Sequence, residues 1–157
     1  MIRKFYPELF EKHKLESDAK QIAEKTFEFS ELLVEKLGVT DVGAKLPGKA
    51  TYHDGCHGLR ELGIKDAPRK LLEQVEGLTL VEMDEAQSCC GFGGSFAVKF
   101  PQISTAMTQV KLGSAKQTEA SYLISGDPSC LMQINGYFQR EDANIECLHL
   151  AEVLDRQ

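Results

Sequence analysis

The sequence predicts an α/β fold: a parallel sheet of about four strands with helices on both faces, preceded by N-terminal helices. Three observations predict it. Short strand candidates alternate with helical segments after residue 48, the pattern of a parallel sheet wound through crossover helices. Strand candidates run into turn formers, as in His53-Asp54-Gly55 and Ser125-Gly126-Asp127-Pro128. The first forty residues carry a helical period instead.

Residues 1–13 place Phe5, Tyr6, Leu9 and Phe10 around Pro7. That segment is too short to be a stable helix in isolation, and its apolar side chains need cover. From Ser17 as N-cap, Ile22, Phe29, Leu33 and Leu37 keep to one helical face, and Gly38 stands where a C-terminal cap belongs. One helix is therefore expected over 17–37, and residues 1–40 read as an N-terminal helical connecting segment. Residues 39–48, with Gly43, Pro47 and Gly48, read as a loop.

The α/β domain proper is expected over 41–157. Lys49–His53 is its first strand, and a helix follows over Ala67–Val75 with Pro68 in its first turn. Leu78–Met83 is the second strand. Ile103, Met107, Val110 and Leu112 suggest a helix from Pro101 to Thr118. Tyr122–Ser125 is a third strand, 129–140 a helix, Ile145–Leu148 a last strand, and the chain closes in a short helix through Leu154.

Composition narrows the function. With 42% hydrophobic and 27% charged residues, the 157-residue chain is globular in character and long enough to build a core. A net charge of −6 without a dense basic cluster argues against nucleic acid as a partner. No apolar run approaches the roughly 20 residues that cross a bilayer. Met1-Ile2-Arg3-Lys4-Phe5 lacks the apolar core of a signal peptide, so no membrane insertion and a cytoplasmic location are expected.

The chemistry concentrates in Ser88-Cys89-Cys90-Gly91-Phe92-Gly93-Gly94. Adjacent cysteines reach one centre only if the backbone bends sharply, and Gly91, Gly93 and Gly94 permit that bend while turning N–H groups toward an anion. Five cysteines, an odd number in a chain with no export signal, argue against a disulfide framework. Cys56 follows the first strand, Cys89 and Cys90 the second, and Cys130 the third, so all four converge on the carboxyl edge of the sheet, where ligands collect. Four thiols suffice for a metal or cluster site. Cys147 falls inside the last strand and reads as a small buried hydrophobe.

Other motifs fail on their own physics. Gly43–Lys49 approximates a phosphate-binding loop, but Ala50 replaces its Ser/Thr and a strand rather than a helix follows. Gly91-Phe92-Gly93 begins a dinucleotide fingerprint whose third glycine is replaced by Phe96. Cys56 and His57 are neighbours on one loop and are poorly placed for a nucleophile–base pair.

Thirty-two residues separate Cys56 from Cys89, and thirty-five separate Gly91 from Asp127, which stands three before Cys130. This spacing resembles the cysteine-rich CCG domain found in heterodisulfide reductases and in the iron–sulfur subunits of glycolate oxidases. The segments Tyr52–His57, Cys89–Gly94, Val98–Pro101, Ser129–Met132 and His149–Val153 are similar to the lactate-utilisation branch of that family. The usual motif ends in Cys-x-x-Cys, and here Asp127 takes the place of its first cysteine.

The resemblance implies a Rossmann-like domain with Cys56, Cys89, Cys90 and Cys130 as ligands of an iron–sulfur cluster of the 4Fe–4S type. It places Asp127 as an oxygen ligand or a neighbour of the ligands. His53 and His57 would donate hydrogen bonds to a thiolate or ligate in place of a thiol. The implied function is electron transfer in the oxidation of a 2-hydroxy acid such as L-lactate, with iron–sulfur or flavin proteins as partner subunits. That branch carries two copies of the domain, of which this chain resembles the second. Phe5, Tyr6 and Phe10 would then contact the other copy or mediate self-association. The rival reading of the same thiols is a closed structural zinc site in an assembly module.

Overall fold

A computed structural model describes residues 1–157. Its sheet has four strands, β1 (Lys45–His53), β2 (Glu76–Leu80), β3 (Tyr122–Ser125) and β4 (Glu146–His149), in the order β2-β1-β3-β4. Every neighbouring pair is parallel, with Ala50 opposite Leu80, His53 opposite Ser125, and Ser125 opposite His149. The predicted sheet is thus present, and its winding reverses between β1 and β3. At such a switch point the carboxyl ends of the strands leave a crevice.

Strand alternation sorts the core into two layers. On one face Ala50, Tyr52, Ile124 and Leu148 pack with Leu71 and Leu72 of α4 (Asp66–Leu72) and with Val153 of α8 (Leu150–Leu154). On the other face Leu123 packs with Leu112 and Ala115 of α6 (Pro101–Gln117) and with Ile134 and Phe138 of α7 (Pro128–Arg140). Each fully buried leucine or isoleucine contributes about 1.5–3 kcal/mol relative to exposure. His53, next to Tyr52 at the strand end, falls on the α6–α7 side by the same alternation.

Several boundaries depart from the sequence reading. β1 begins at Lys45, inside the expected loop, and absorbs Pro47 through an irregularity between Lys45 and Gly48. A proline without an N–H is tolerated in a sheet at such a break. β2 ends at Leu80 rather than Met83, and residues 81–94 form the long connection that carries the paired cysteines. A short helix, α5 (Ser95–Lys99), follows the glycine turn and was not expected.

The single helix expected over 17–37 is two pieces. α2 (Glu16–Glu24) ends where Thr26 Oγ1 donates to the Ile22 carbonyl at 2.7 Å. Glu28 then turns extended and, with Glu31, forms a capping box for α3 (Phe29–Glu31), which runs into a π-helical turn over Leu32–Lys36. The apolar period that suggested one helix does not mark a buried face: Ile22 is 50% exposed and Leu37 62%, whereas Ala19, Ala23 and Ser30 are buried. The aromatic segment does become helical, as α1 (Ile2–Leu9), which packs on α2 and is tied to α3 by Arg3 bonded to both Glu31 oxygens at 2.6 and 2.7 Å. Tyr6 and Phe10 stack edge to face at 5.8 Å, and Phe5 and Leu9 remain exposed. No helix is long and apolar enough to cross a membrane.

Candidate metal centre

The crevice at the switch point holds a compact donor group. Ligating atoms of His53, Cys90 and Cys130, all buried, lie within 4.8 Å of one another. Each comes from a different place in the fold. His53 is the last residue of β1, Cys90 lies in the connection after β2, and Cys130 is in the first turn of α7.

The imidazole of His53 is fixed by Nδ1, 3.2 Å from the Ala86 carbonyl, which sets Nδ1 as the donor. Its Nε2 is buried and has no hydrogen-bond partner within the protein. A buried unpaired ring nitrogen is costly unless something occupies the space before it. Cys90 Sγ lies 2.8 Å from Cys130 Sγ, and neither forms a disulfide. Hydrogen bonding from Cys130, opposed by burial and helped by His53, lowers the Cys90 thiol. Hydrogen bonding to Cys90, burial and the nearby charges of Asp127 and Cys56 raise that of Cys130. Two cysteine sulfurs and a free imidazole nitrogen are the soft and borderline donors that zinc and iron–sulfur centres use.

The other two predicted thiols, Cys56 and Cys89, are not part of the buried group. Cys56 caps the π-helical turn His57–Glu61 and is half-buried; burial, then the charges of Cys89, Cys90 and Asp127, raise its thiol, which the His57 backbone N–H partly offsets. Cys89 is half-buried and accepts a hydrogen bond from the Gly91 N–H at 3.4 Å. Asp127 is the N-cap of α7, its Oδ1 accepting from Ser129 N at 2.9 Å and Cys130 N at 3.1 Å. That cap orients Cys130. His57 is exposed and stands outside the buried group. Cys147 is half-buried against the α6–α7 layer, and burial, with Glu146 nearby, pushes its thiol up to about 12.

The glycine turn fits the geometry expected of it. Gly91 has φ +88°, and a Cβ there would lie 2.6 Å from the Ser104 carbonyl oxygen; Gly93 has φ +49°, with a Cβ 2.8 Å from that of Phe96. Gly94, at φ +55°, faces open space. Only a residue without Cβ lets the turn lie this close against α6.

Sequence reasoning missed what holds the paired-cysteine connection in place. The buried face of α6 is partly polar: Ser104, Thr108, Lys111 and Ser114 are buried, while Ile103 and Val110 are 54% and 57% exposed. Ser104 Oγ donates to the Gly91 carbonyl at 2.8 Å and Thr108 Oγ1 to the Cys90 carbonyl at 2.9 Å. Lys111 Nζ donates to the carbonyls of Glu85 and Ser88, and Ser114 Oγ accepts from Glu85 N. Gln133 of α7 braces Ser104 and Thr108 at 3.0 and 3.2 Å. The signal was present as a polar stripe at helical spacing, 104, 108, 111 and 114, hidden by the apolar residues beside it.

A second anchor fixes the strand end. Arg69 of α4 pairs both guanidinium nitrogens with Asp54 at 2.9 Å, reaches Glu82 at 2.6 Å, and lies over the Tyr52 ring at 5.2 Å. The backbone N–H of Asp54, a residue only 3% exposed, donates to the same Ala86 carbonyl that positions His53.

The chain also resembles known proteins in sequence. The sequence model of the cysteine-rich domain CCG matches residues 50–135, the stretch from β1 to the middle of α7. The chain is similar to lactate utilization protein A of Anoxybacillus flavithermus, 47% identical over 155 residues, covering 98% of this chain and 65% of that protein. It is 48% identical over 153 residues to the proteins of that name from Geobacillus kaustophilus and Lysinibacillus sphaericus, covering 97% of this chain in each case and 64% and 67% of those proteins. The chain thus spans about two thirds of the length of these relatives. With the matched stretch holding the sheet's switch point and four of the five cysteines, the chain belongs to the cysteine-rich CCG domain family.

Proposed function

We propose that this chain is an iron–sulfur electron-transfer unit in the oxidation of a 2-hydroxy acid such as lactate. The observation that carries the reading is the buried Cys90–Cys130–His53 group with its orphaned Nε2; the charges of Cys89 and Cys90 acting on Cys56 support including the other two thiols. These residues would hold a 4Fe–4S cluster, with the four cysteines as ligands and His53 either ligating through Nε2 in place of one thiol or, as the imidazolium, donating a hydrogen bond to a thiolate. The cluster would supply the one-electron chemistry. The chain's own residues bury it, orient the thiols through the Asp127 cap and the α6 polar face, and turn the Gly91–Gly94 backbone toward it. The name shared by its relatives supports lactate utilisation as the setting.

Within that reading, residues 41–157 form one of two copies of the domain and residues 1–40 connect it to the other. The exposed Phe5 and Leu9 of α1 fit a contact with that copy or with a second chain. Iron–sulfur or flavin proteins would be the electron partners, in the cytoplasm. The test is anaerobic purification followed by iron, sulfide and zinc analysis beside the visible spectrum. Iron with matching sulfide and a broad brown absorption is expected.

One observation favours a second reading. His53, Cys90 and Cys130 alone make a Cys2His donor set, to which Cys56 or Cys89 could add a fourth ligand, as in structural zinc sites. Stoichiometric zinc and a colourless solution would select it.

A further inference from the structure

Lys111 is fully buried, at 0% exposure. Its ammonium has three N–H groups, and the structure gives three acceptors: the Glu85 carbonyl, the Ser88 carbonyl at 3.0 Å and Ser88 Oγ at 2.8 Å. All three are neutral, and all lie on the turn that immediately precedes Cys89. A buried charge among neutral acceptors is costly, and a methionine would fill the same volume without that cost. The negative charge that offsets it must come from nearby, and the candidates are the Glu85 carboxylate and the thiolates. Burial lowers the Lys111 pKa to about 8, while Glu85, Cys90, Cys130 and Cys89 act to raise it; three acceptors, one for each N–H, call for the ammonium rather than the neutral amine.

We propose that Lys111 is the positioning residue of the cysteine site: its ammonium pins the Glu85–Ser88 turn that delivers Cys89 and Cys90, and its charge stabilises the electron-rich state of whatever the thiolates hold. This rests on the cluster reading above. A positive charge fixed in a water-poor crevice favours the reduced, more negative form of a bound centre. The charge thereby raises the reduction potential, as hydrogen bonds and local charge do in iron–sulfur proteins generally.

The test uses the intact chain loaded anaerobically with ferrous iron and sulfide and titrated with dithionite. Wild type is compared with Lys111→Met, Lys111→Arg and Ser88→Ala. Lys111→Met is expected to weaken the reduction equilibrium about tenfold, about 59 mV for a one-electron couple. Lys111→Arg should restore most of that loss. Ser88→Ala keeps the charge and removes one acceptor of Lys111 together with the Ser88 Oγ bond to the Glu85 carbonyl, both within the pinned turn, so its potential should stay at the wild-type value while iron passes to a chelator severalfold faster.

A loaded Lys111→Met with the wild-type potential overturns the charge role, and Ser88→Ala with the wild-type rate of iron release overturns the pinning role. If neither lysine variant folds, Lys111→Gln, which loses the charge but keeps two donors, decides the charge role by its potential, and Ser88→Ala decides the pinning role by its release rate. A wild-type chain that takes up no iron overturns the cluster reading and this inference with it.

Discussion

Thr108 Oγ1 donates a 2.9 Å hydrogen bond to the carbonyl oxygen of Cys90, joining the middle of α6 to the more buried of the paired cysteines. The bond places the Cys90 backbone, and through it the thiol, at a fixed height above the sheet edge. Thr108→Val keeps the shape and removes the donor. A buried carbonyl left without its partner costs about 1–3 kcal/mol. Urea unfolding should show a lower midpoint with an unchanged slope, and metal should leave the variant faster than the wild type. An unchanged midpoint together with unchanged metal release would show that the α6 polar face does not hold the cysteine.

Cys90 and Cys130 belong to the buried donor group, Cys89 precedes Cys90 in the same connection, and Cys147 lies on β4. Cys89→Ser and Cys130→Ser are therefore expected to abolish metal retention, and Cys147→Ser to leave it intact. His53→Ala should lower retention as well, since it removes the one imidazole nitrogen that faces the group without a partner. Metal content by elemental analysis, set beside the far-UV spectrum of each variant, separates ligand loss from unfolding. Retention in the Cys130 variant, or loss in the Cys147 variant, would redraw the site.

Arg69 neutralises Asp54, which is 3% exposed, and also holds Glu82. Removing the guanidinium while keeping the volume, as in Arg69→Met, strands a buried carboxylate beside the end of β1. Breaking one side of a buried pair costs about 3–5 kcal/mol. Arg69→Lys should recover little of this, because an ammonium cannot form the two parallel bonds to Asp54 or span to Glu82. The denaturant midpoint of the three proteins tests it; a lysine variant as stable as the wild type would mean that charge, not the fork geometry, is what Asp54 requires.

The N-terminal helices have an acid-sensitive clasp. Burial acts to raise the Glu31 pKa, but the Arg3 side chain and the Glu28 N–H together outweigh it, so Glu31 is lowered from its usual value of 4.5. A carboxylate lowered by folding contributes stability that is complete above its unfolded value and is lost as pH falls through the folded one. Docking of α1 should therefore be constant above about pH 5 and weaken below 4.5. The Tyr6 ring resonance, which reports the Tyr6–Phe10 contact, should shift over that range in the wild type and stay flat in Glu31→Gln.

The α/β class and the parallel sheet were legible because each depends on local signals, strand-ending turn residues and helix starts, and the meeting of Cys90 with Cys130 follows from their places after β2 and β3. The boundaries that failed depend on tertiary contacts. The break at Lys25–Glu28 comes from Glu28 and Glu31 capping a new helix, which an apolar period running through Ile22, Phe29 and Leu37 conceals. The polar docking face of α6 is a core face made of Ser104, Thr108 and Lys111, and no hydrophobic pattern points to it. His53 was identified from its place beside Cys56, yet its partners in space are Cys90 and Cys130. Distances between loops after different strands are set by the sheet, so sequence adjacency to Cys56 does not show which thiols His53 meets, nor that His57 stays outside the buried group.

The glycine turn offers a contrast between strain and collision. Gly91 and Gly94 both have positive φ, but a Cβ at Gly91 would meet the Ser104 carbonyl at 2.6 Å whereas one at Gly94 meets nothing within 4 Å. Gly94→Ala should cost only the backbone strain of φ +55° and ψ −105°, a region outside the left-handed helical well that glycine alone visits readily, about 1–3 kcal/mol. Gly91→Ala must in addition push the turn off α6, breaking the Ser104 bond to the Gly91 carbonyl and displacing Cys90. Gly94→Ala is therefore expected to keep its metal with a modest fall in melting temperature, and Gly91→Ala to lose both stability and metal. Equal behaviour of the two variants would mean that backbone conformation alone, and not close packing on α6, requires glycine after the paired cysteines.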